Sequence, residues 1–178
     1  MQIRVAEDAD AAGLIGLIGA VYAEYPGCVL DVDAEEPDLK AIASAFASRG
    51  GSFWVAIDDS SGALVGCVGW LTGPLPSAQA LPAQHPSVQG RWVQLRKLYV
   101  ARTERRRGLA SELCARVESA AREHGAAGIE LWSDSRFVDA HRFYVTRGYQ
   151  QQAETRRLDD LSHTTEYRFT KALRTSTP

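Results

Sequence analysis

The sequence predicts an α/β fold, a mixed β-sheet with helices on both faces. Three observations carry that expectation. Runs of β-forming residues alternate with helical periodicity in the order β-α-α-β-β-β-α-β-α-β-β. The first half contains a clear antiparallel hairpin. The second half alternates strand and helix before a closing hairpin, the pattern that brings in parallel pairing. At 178 residues and 45% apolar composition, the chain fits one compact domain with a real core. That domain is expected over residues 1–174, with a frayed tail at 175–178.

Residues 3–6 are short and extended. Asp8 or Asp10 is placed to cap a helix whose apolar positions are Leu14, Ile15, Leu17, Ile18, Val21 and Tyr22. Gly13, Gly16 and Gly19 each weaken that helix by about 1 kcal/mol relative to alanine, which a close backbone approach on a bare face would offset. Tyr25-Pro26-Gly27 ends it. The acidic stretch Asp31, Asp33, Glu35, Glu36 and Asp38 leads into a second helix expected over 37–48, with Pro37 in its first turn. Residues 53–57 and 64–71 form the hairpin around Asp58-Asp59-Ser60-Ser61-Gly62. A long loop at 73–90 holds Pro74, Pro76, Pro82 and Pro86 and has the character of a functional lid.

In the second half, 91–100 is a strand. Residues 108–124 form a helix with the stripe Leu109, Leu113, Val117 and Ala121, stopped by Gly125. Residues 129–132 are a strand, and Asp134 or Ser135 caps a short helix that Gly148 ends. Residues 149–158 and 164–170 close as a hairpin that could pair across a homodimer.

The charge balance of −2 gives no bulk case for nucleic acid. No apolar run approaches the roughly 18–20 residues of a membrane span, and the N-terminus lacks a secretion signature. Cys28, Cys67 and Cys114 are odd in number and widely spaced. Neither a disulfide framework nor a zinc or other metal site is expected, and the cytoplasm is the expected compartment.

The chemistry concentrates at strand, basic glycine turn, helix. Arg105, Arg106, Arg107 and Gly108 precede Leu109, Ala110 and Ser111, which open the helix. A helix N-terminus presents unpaired N–H groups and partial positive charge, a natural seat for a pyrophosphate. Arginine adds bidentate pairing with phosphate, and Gly108 removes the side chain that would block approach. No Gly-Lys-Ser/Thr follows, and no G-x-G-x-x-G is present, so neither the Walker loop nor the dinucleotide fingerprint applies. An ordinary basic first turn of an amphipathic helix would read the same way on the loop alone.

This run resembles the GNAT N-acetyltransferase superfamily, whose signature after a strand is Arg/Gln-x-x-Gly-x-Gly/Ala. Arg105, Gly108 and Ala110 take its three fixed positions. A second match is Ala140 to Tyr149, similar to A-x-x-x-Y-x-x-x-G-[FY], with Tyr144 at the tyrosine. The resemblance implies a GNAT-like mixed sheet whose central parallel strands splay. It implies acetyl-CoA as co-substrate, held by the strand end Leu98, Tyr99 and Val100 and by the loop, with one backbone N–H polarising the thioester. It implies Tyr144 as the proton donor to the departing thiolate, with a primary amine of a small molecule or peptide attacking directly in a ternary complex.

The chain departs from the family pattern at two places. Phe137 stands where many relatives carry asparagine. Gln94 and Arg96 stand where several carry a glutamate general base. The base is left open among Glu130, Glu24, His85 and a water chain. The acidic stretch suits either a cationic amine or a solvated turn, and Tyr22, Tyr25 and Trp70 are candidate pocket walls. The missing glutamate favours an alternative, a non-catalytic acetyl-CoA-binding module, and Tyr144 argues against it.

Overall fold

The computed structural model describes residues 1–72 and 91–173. The proline-rich loop expected at 73–90, with His85, and the tail expected at 175–178 lie outside the described residues. The elements follow the expected order: β1 (Gln2–Val5), α1 (Ala11–Tyr22), α2 (Ile42–Ala47), β2 (Ser52–Ile57), β3 (Leu64–Leu71), β4 (Trp92–Val100), α3 (Leu109–Glu123), β5 (Gly128–Asp134), α4 (Val138–Thr146), β6 (Gln150–Arg157) and β7 (Thr165–Ala172). They build one seven-stranded sheet, β1-β2-β3-β4-β5-β7-β6. Every neighbouring pair is antiparallel except β4 and β5, which run parallel. The closing hairpin thus turns back into the sheet, with β7 inside and β6 at the edge.

Local chemistry explains the punctuation. In the β2–β3 turn the Asp58 carboxylate accepts from the Ser60 and Ser61 hydroxyls at 2.7 and 2.6 Å, and Gly62 takes φ +68°. Those bonds favour the ionised form and hold the Asp58 carboxyl down at about 2. Gly125 and Gly148, at φ +71° and +84°, stop α3 and α4 where the sequence places the stops.

Two apolar layers sandwich the sheet. On one face Leu109, Leu113, Val117 and Ala121 of α3 pack on Val93, Leu95 and Val100 of β4, with Tyr144, Tyr149 and Phe169. On the other, Leu14, Leu17, Ile18 and Val21 of α1 join Leu39, Ile42, Phe46 and Phe53.

Four local expectations are corrected. The second helix splits into a 3-10 segment, Pro37–Ala41, and α2. Leu39 and Ile42 are both fully buried, and a three-residue period brings that pair to one side. Neither aspartate caps α1. The Asp8 carboxylate accepts from the Ser44 backbone N–H and hydroxyl at 2.9 and 2.5 Å, and Asp10 takes the Arg4 fork at 2.7 and 2.8 Å. Asp134 does not cap α4 with its side chain, which holds Arg136 instead. Side chains, not a neighbouring backbone, come nearest to the glycines of α1. The nearest atoms to a Cβ at Gly13 would be those of the Leu64 side chain, one at Gly19 would meet Leu30, and one at Gly16 nothing within 4 Å.

Candidate active site

β4 and β5 pair only over Trp92–Gly128, Val93–Ile129 and Gln94–Glu130. Beyond that point they separate, and among the described residues the backbone of 95–100 has no strand partner on the β5 side. On its other side β4 stays paired with β3, but through a bulge: Gly69 faces Arg96 and Cys67 faces Tyr99. The extra residue sits at Lys97–Leu98, and Lys97 adopts φ +54°. A bulge resets the alternation of a strand. Val93 and Leu95 before it, and Leu98 and Val100 after it, all face α3. Tyr99 faces α1.

The Lys97 side chain is buried and pairs with Glu36 and Asp38 of the segment entering α2. Such a left-handed lysine is strained by roughly 1–2 kcal/mol, and two carboxylates hold it there.

The gap between the strands opens a cavity of about 570 Å³ that passes from one face of the sheet to the other. On the α3–α4 face it is lined by Arg106, Gly108, Ala110, Ser111, Ala140, Phe143 and Tyr144. On the α1–α2 face it is lined by Tyr22, Tyr25, Glu36, Arg96 and Trp132. Its mouth there is bridged. The Val29 N–H donates to the Ser162 hydroxyl at 2.8 Å, and the Leu161 N–H donates to the Glu35 carboxylate at 2.7 Å. The α1–α2 segment is thereby tied to the β6–β7 turn.

At the α3 end, Arg106 and Gly108 both have positive φ, +61° and +91°. Alternating left-handed residues turn successive N–H groups to one side, an anion-binding nest. A Cβ at Gly108 would meet nothing within 4 Å, so the space in front of the helix N-terminus is open. The three arginines are not equivalent. Arg105 forms a bidentate pair with Glu24 at 2.7 and 2.8 Å and donates to the Val100 carbonyl at 3.1 Å. It fastens the loop to α1 and to the strand end. Arg107 leans on Glu104 at 3.3 Å. Arg106 is exposed and borders the cavity.

Tyr144 lines the cavity with 5% of its surface exposed, among Phe143, Tyr149 and Phe169. Burial raises its pKa well above the ordinary phenol value. Tyr22 and Tyr99 place their hydroxyls 3.2 Å apart, and burial pushes Tyr22 up to about 12.

Two base candidates are held in ion pairs. Glu130 is fully buried and paired with Arg168 at 2.7 Å, which makes it part of a structural pair. Glu24 belongs to Arg105. Phe137, in place of the asparagine, packs on Tyr25 with ring centres 4.6 Å apart. Trp70 is not a pocket wall: it is buried on the α3 side, edge-on to His124.

Comparison with known proteins agrees with this architecture. Residues 18–149 match the profile of the Acetyltransferase (GNAT) family. The chain belongs to that family. N-acetyltransferase 8 of Rattus norvegicus is 31% identical over 119 residues, covering 66% of this chain and 48% of the relative. The aminoalkylphosphonate N-acetyltransferase of Salmonella typhimurium is 37% identical over 83 residues, 46% of each chain. This chain thus spans about half the length of the curated relatives it matches. A GNAT-family acetyltransferase structure from Staphylococcus aureus superposes with a TM-score of 0.71 at 20% identity, over 97% of this chain and all of that one. Ribosomal-protein-alanine N-acetyltransferase from Brucella melitensis gives 0.67 at 16% identity, over 97% and 100%. At these identities the structures show the fold.

GNAT membership supports acetyl-CoA-dependent acyl transfer as the general activity and acetyl-CoA as the co-substrate class. Within this GNAT fold both sequence motifs border one cavity. Of the residues singled out in the sequence, Leu98, Tyr99, Val100, Arg105, Arg106, Gly108, Ala110, Ser111 and Tyr144 line it, whereas Arg107 and Leu109 do not. Leu109 is a core residue at 4% exposure. Sequence reasoning missed Lys97, Trp132 and Arg156. The bulge had one legible signal, the switch of apolar positions from odd to even between Leu95 and Leu98. The β6–β7 contributions had none.

Proposed function

We propose that this protein transfers an acetyl group from acetyl-CoA to a primary amine of a small molecule or peptide, by direct attack within a ternary complex. The observation that carries the proposal is the single cavity running from the Arg106–Gly108 nest, past the unpaired edge of β4, to the α1–α2 face. A phosphate-bearing thioester and an amine can enter it from opposite sides of the sheet.

The nest and the N-terminus of α3 are suited to the pyrophosphate, where Gly108 leaves room and Arg106 adds charge. The open β4 edge offers Leu98 and Val100 backbone groups to an extended arm. A backbone N–H fixed there stabilises the negative charge that develops on the carbonyl oxygen. As the neutral amine nitrogen bonds to the acyl carbon, the C–S bond breaks, the Tyr144 hydroxyl gives its proton to the thiolate, and the proton shed by the new amide nitrogen passes through water to restore the phenol. The phenol is the weaker acid, so the proton moves only as sulfur charge builds. Holding both partners in one enclosed cavity supplies the orientation that a bimolecular aminolysis lacks. The cytoplasm remains the proposed compartment.

The test is release of free thiol from acetyl-CoA in the presence of a broad panel of amines, including amino acids, polyamines, aminoalkylphosphonates and peptide N-termini. Amine-dependent release supports transfer. Tight CoA binding with no release for any amine would support instead the binding module, a reading that the absence of a glutamate at Gln94 and Arg96 favours.

A further inference from the structure

Arg96 is a cation with no carboxylate partner among the described residues. Among the described residues its one hydrogen bond runs from Nη1 to the Gln94 amide oxygen at 3.2 Å. Its neighbours in the cavity differ. Lys97 has Glu36 and Asp38, Arg105 has Glu24, and Arg156 has Glu166 at 2.5 Å. Arg106 also has no acid among the described residues, but it is exposed at the α3 end. Arg96 is half-buried on the opposite face. Its cross-strand partner is Gly69. A side chain at Gly69 would meet Phe46 and Phe53, so Arg96 shares the α1–α2 face, and there it lines the cavity.

A guanidinium carries five donors in a planar fork, and one neutral amide leaves the others available to a ligand in the cavity. Acids elsewhere in the site are paired with other cations: Glu130 with Arg168, Glu166 with Arg156, and Glu36 and Asp38 with Lys97. The position also matters. Arg96 stands just before the Lys97–Leu98 bulge, where β4 and β5 part. An anion on its fork would therefore sit beside the unpaired edge along which the thioester is proposed to lie.

We propose that Arg96 is the anion-binding determinant of the acceptor site, and that the acceptor is a small primary amine that also carries an oxyanion, a carboxylate or a phosphonate. The inference rests on the acetyl-transfer reading above and adds the substrate class to it. The Gln94 amide orients one edge of the fork and leaves the other free for a bidentate contact. A lysine at this position would offer a point charge without the fork.

The experiment compares matched pairs: glycine with methylamine, β-alanine with ethylamine, L-phenylalanine with phenethylamine, and aminomethylphosphonate with methylamine. Thiol release is measured for wild type, Arg96→Ala and Arg96→Lys. In parallel, calorimetry measures binding of each compound to protein saturated with CoA. Wild type is expected to prefer the anionic member of at least one pair. Arg96→Ala should lower kcat/KM, or the binding constant, for that member by roughly 10- to 100-fold, the usual weight of hydrogen bonds to a charged group, with the mate that lacks the oxyanion little changed. Arg96→Lys should fall between them. Unaltered circular dichroism and an unaltered CoA-induced thermal shift show that the fold and the α3 end are intact. A wild type that binds or acetylates no anionic member better than its mate overturns the proposal. So does an Arg96→Ala that weakens both members alike. Absence of thiol release with every amine would count against acetyl transfer, while the calorimetry still decides the role of Arg96. Transfer only to amines that lack an oxyanion would leave acetyl transfer standing and remove the anion site.

Discussion

Tyr144 is the residue on which the proposed chemistry turns. Its ring is packed on three aromatic neighbours, and its raised pKa keeps it protonated across the working range of pH. Tyr144→Phe retains the packing and removes the hydroxyl. It is expected to lower kcat by about 10²–10⁴-fold while the CoA-induced thermal shift persists. The loss should shrink with a thioester whose thiol is more acidic. Full kcat at saturating acceptor would make the tyrosine structural. Glu130 leads to the opposite expectation. It is fully buried against Arg168, and removing one member of a buried pair costs about 3–5 kcal/mol. Arg168→Met should therefore unfold at markedly lower denaturant, as followed by far-UV circular dichroism in urea. A variant with an unchanged midpoint would show the pair to be dispensable.

At the scale of elements, the N-terminus of α3 depends on Gly108. At φ +91° a side chain is strained by about 1–2 kcal/mol, but aspartate tolerates the left-handed region better than most residues and suits a helix N-terminus. Gly108→Asp would put a carboxylate into the open space in front of the nest. CoA affinity is expected to collapse, with helix content retained and only a modest drop in melting temperature. Isothermal titration with CoA reads the first, and circular dichroism the rest. Undiminished CoA affinity would mean that the phosphates bind elsewhere.

For the whole molecule, CoA binds only the folded chain on this reading. At a hundredfold excess over Kd it should add about 2.7 kcal/mol, visible as a raised melting temperature, with desulfo-CoA nearly as effective. No shift at millimolar CoA would remove the cofactor assignment. Alkali should act in the other direction. Burial raises Cys114 to about 11, Cys67 to about 12 and Tyr22 to about 12. Above the ordinary pKa values of 9.0 for Cys and 10.0 for Tyr, the unfolded chain loses these protons while the folded chain keeps them. Folding stability is then fully present below pH 9 and falls as pH rises toward 12. Thermal unfolding between pH 8 and 11 checks this, and a flat profile would contradict it.

The sequence by itself determined the order of elements, the α3 stripe, the stops at Gly125 and Gly148 and the two motifs that border the cavity. Each is written in local periodicity or in a glycine that backbone geometry demands. It did not determine the caps. Asp8, Asp10 and Asp134 have the right chemistry, but partners distant in the chain or in the next turn claim their oxygens first. Nor did it separate the three arginines: only the placement of Glu24 and Glu104 distinguishes Arg105 and Arg107 from Arg106. The splay after Gln94, the bulge at Lys97 and the pairing of Glu130 with Arg168 depend on strands far apart in the chain. The tertiary structure alone decides them, because whether a charge is neutralised or left facing a cavity is set by what the fold places beside it.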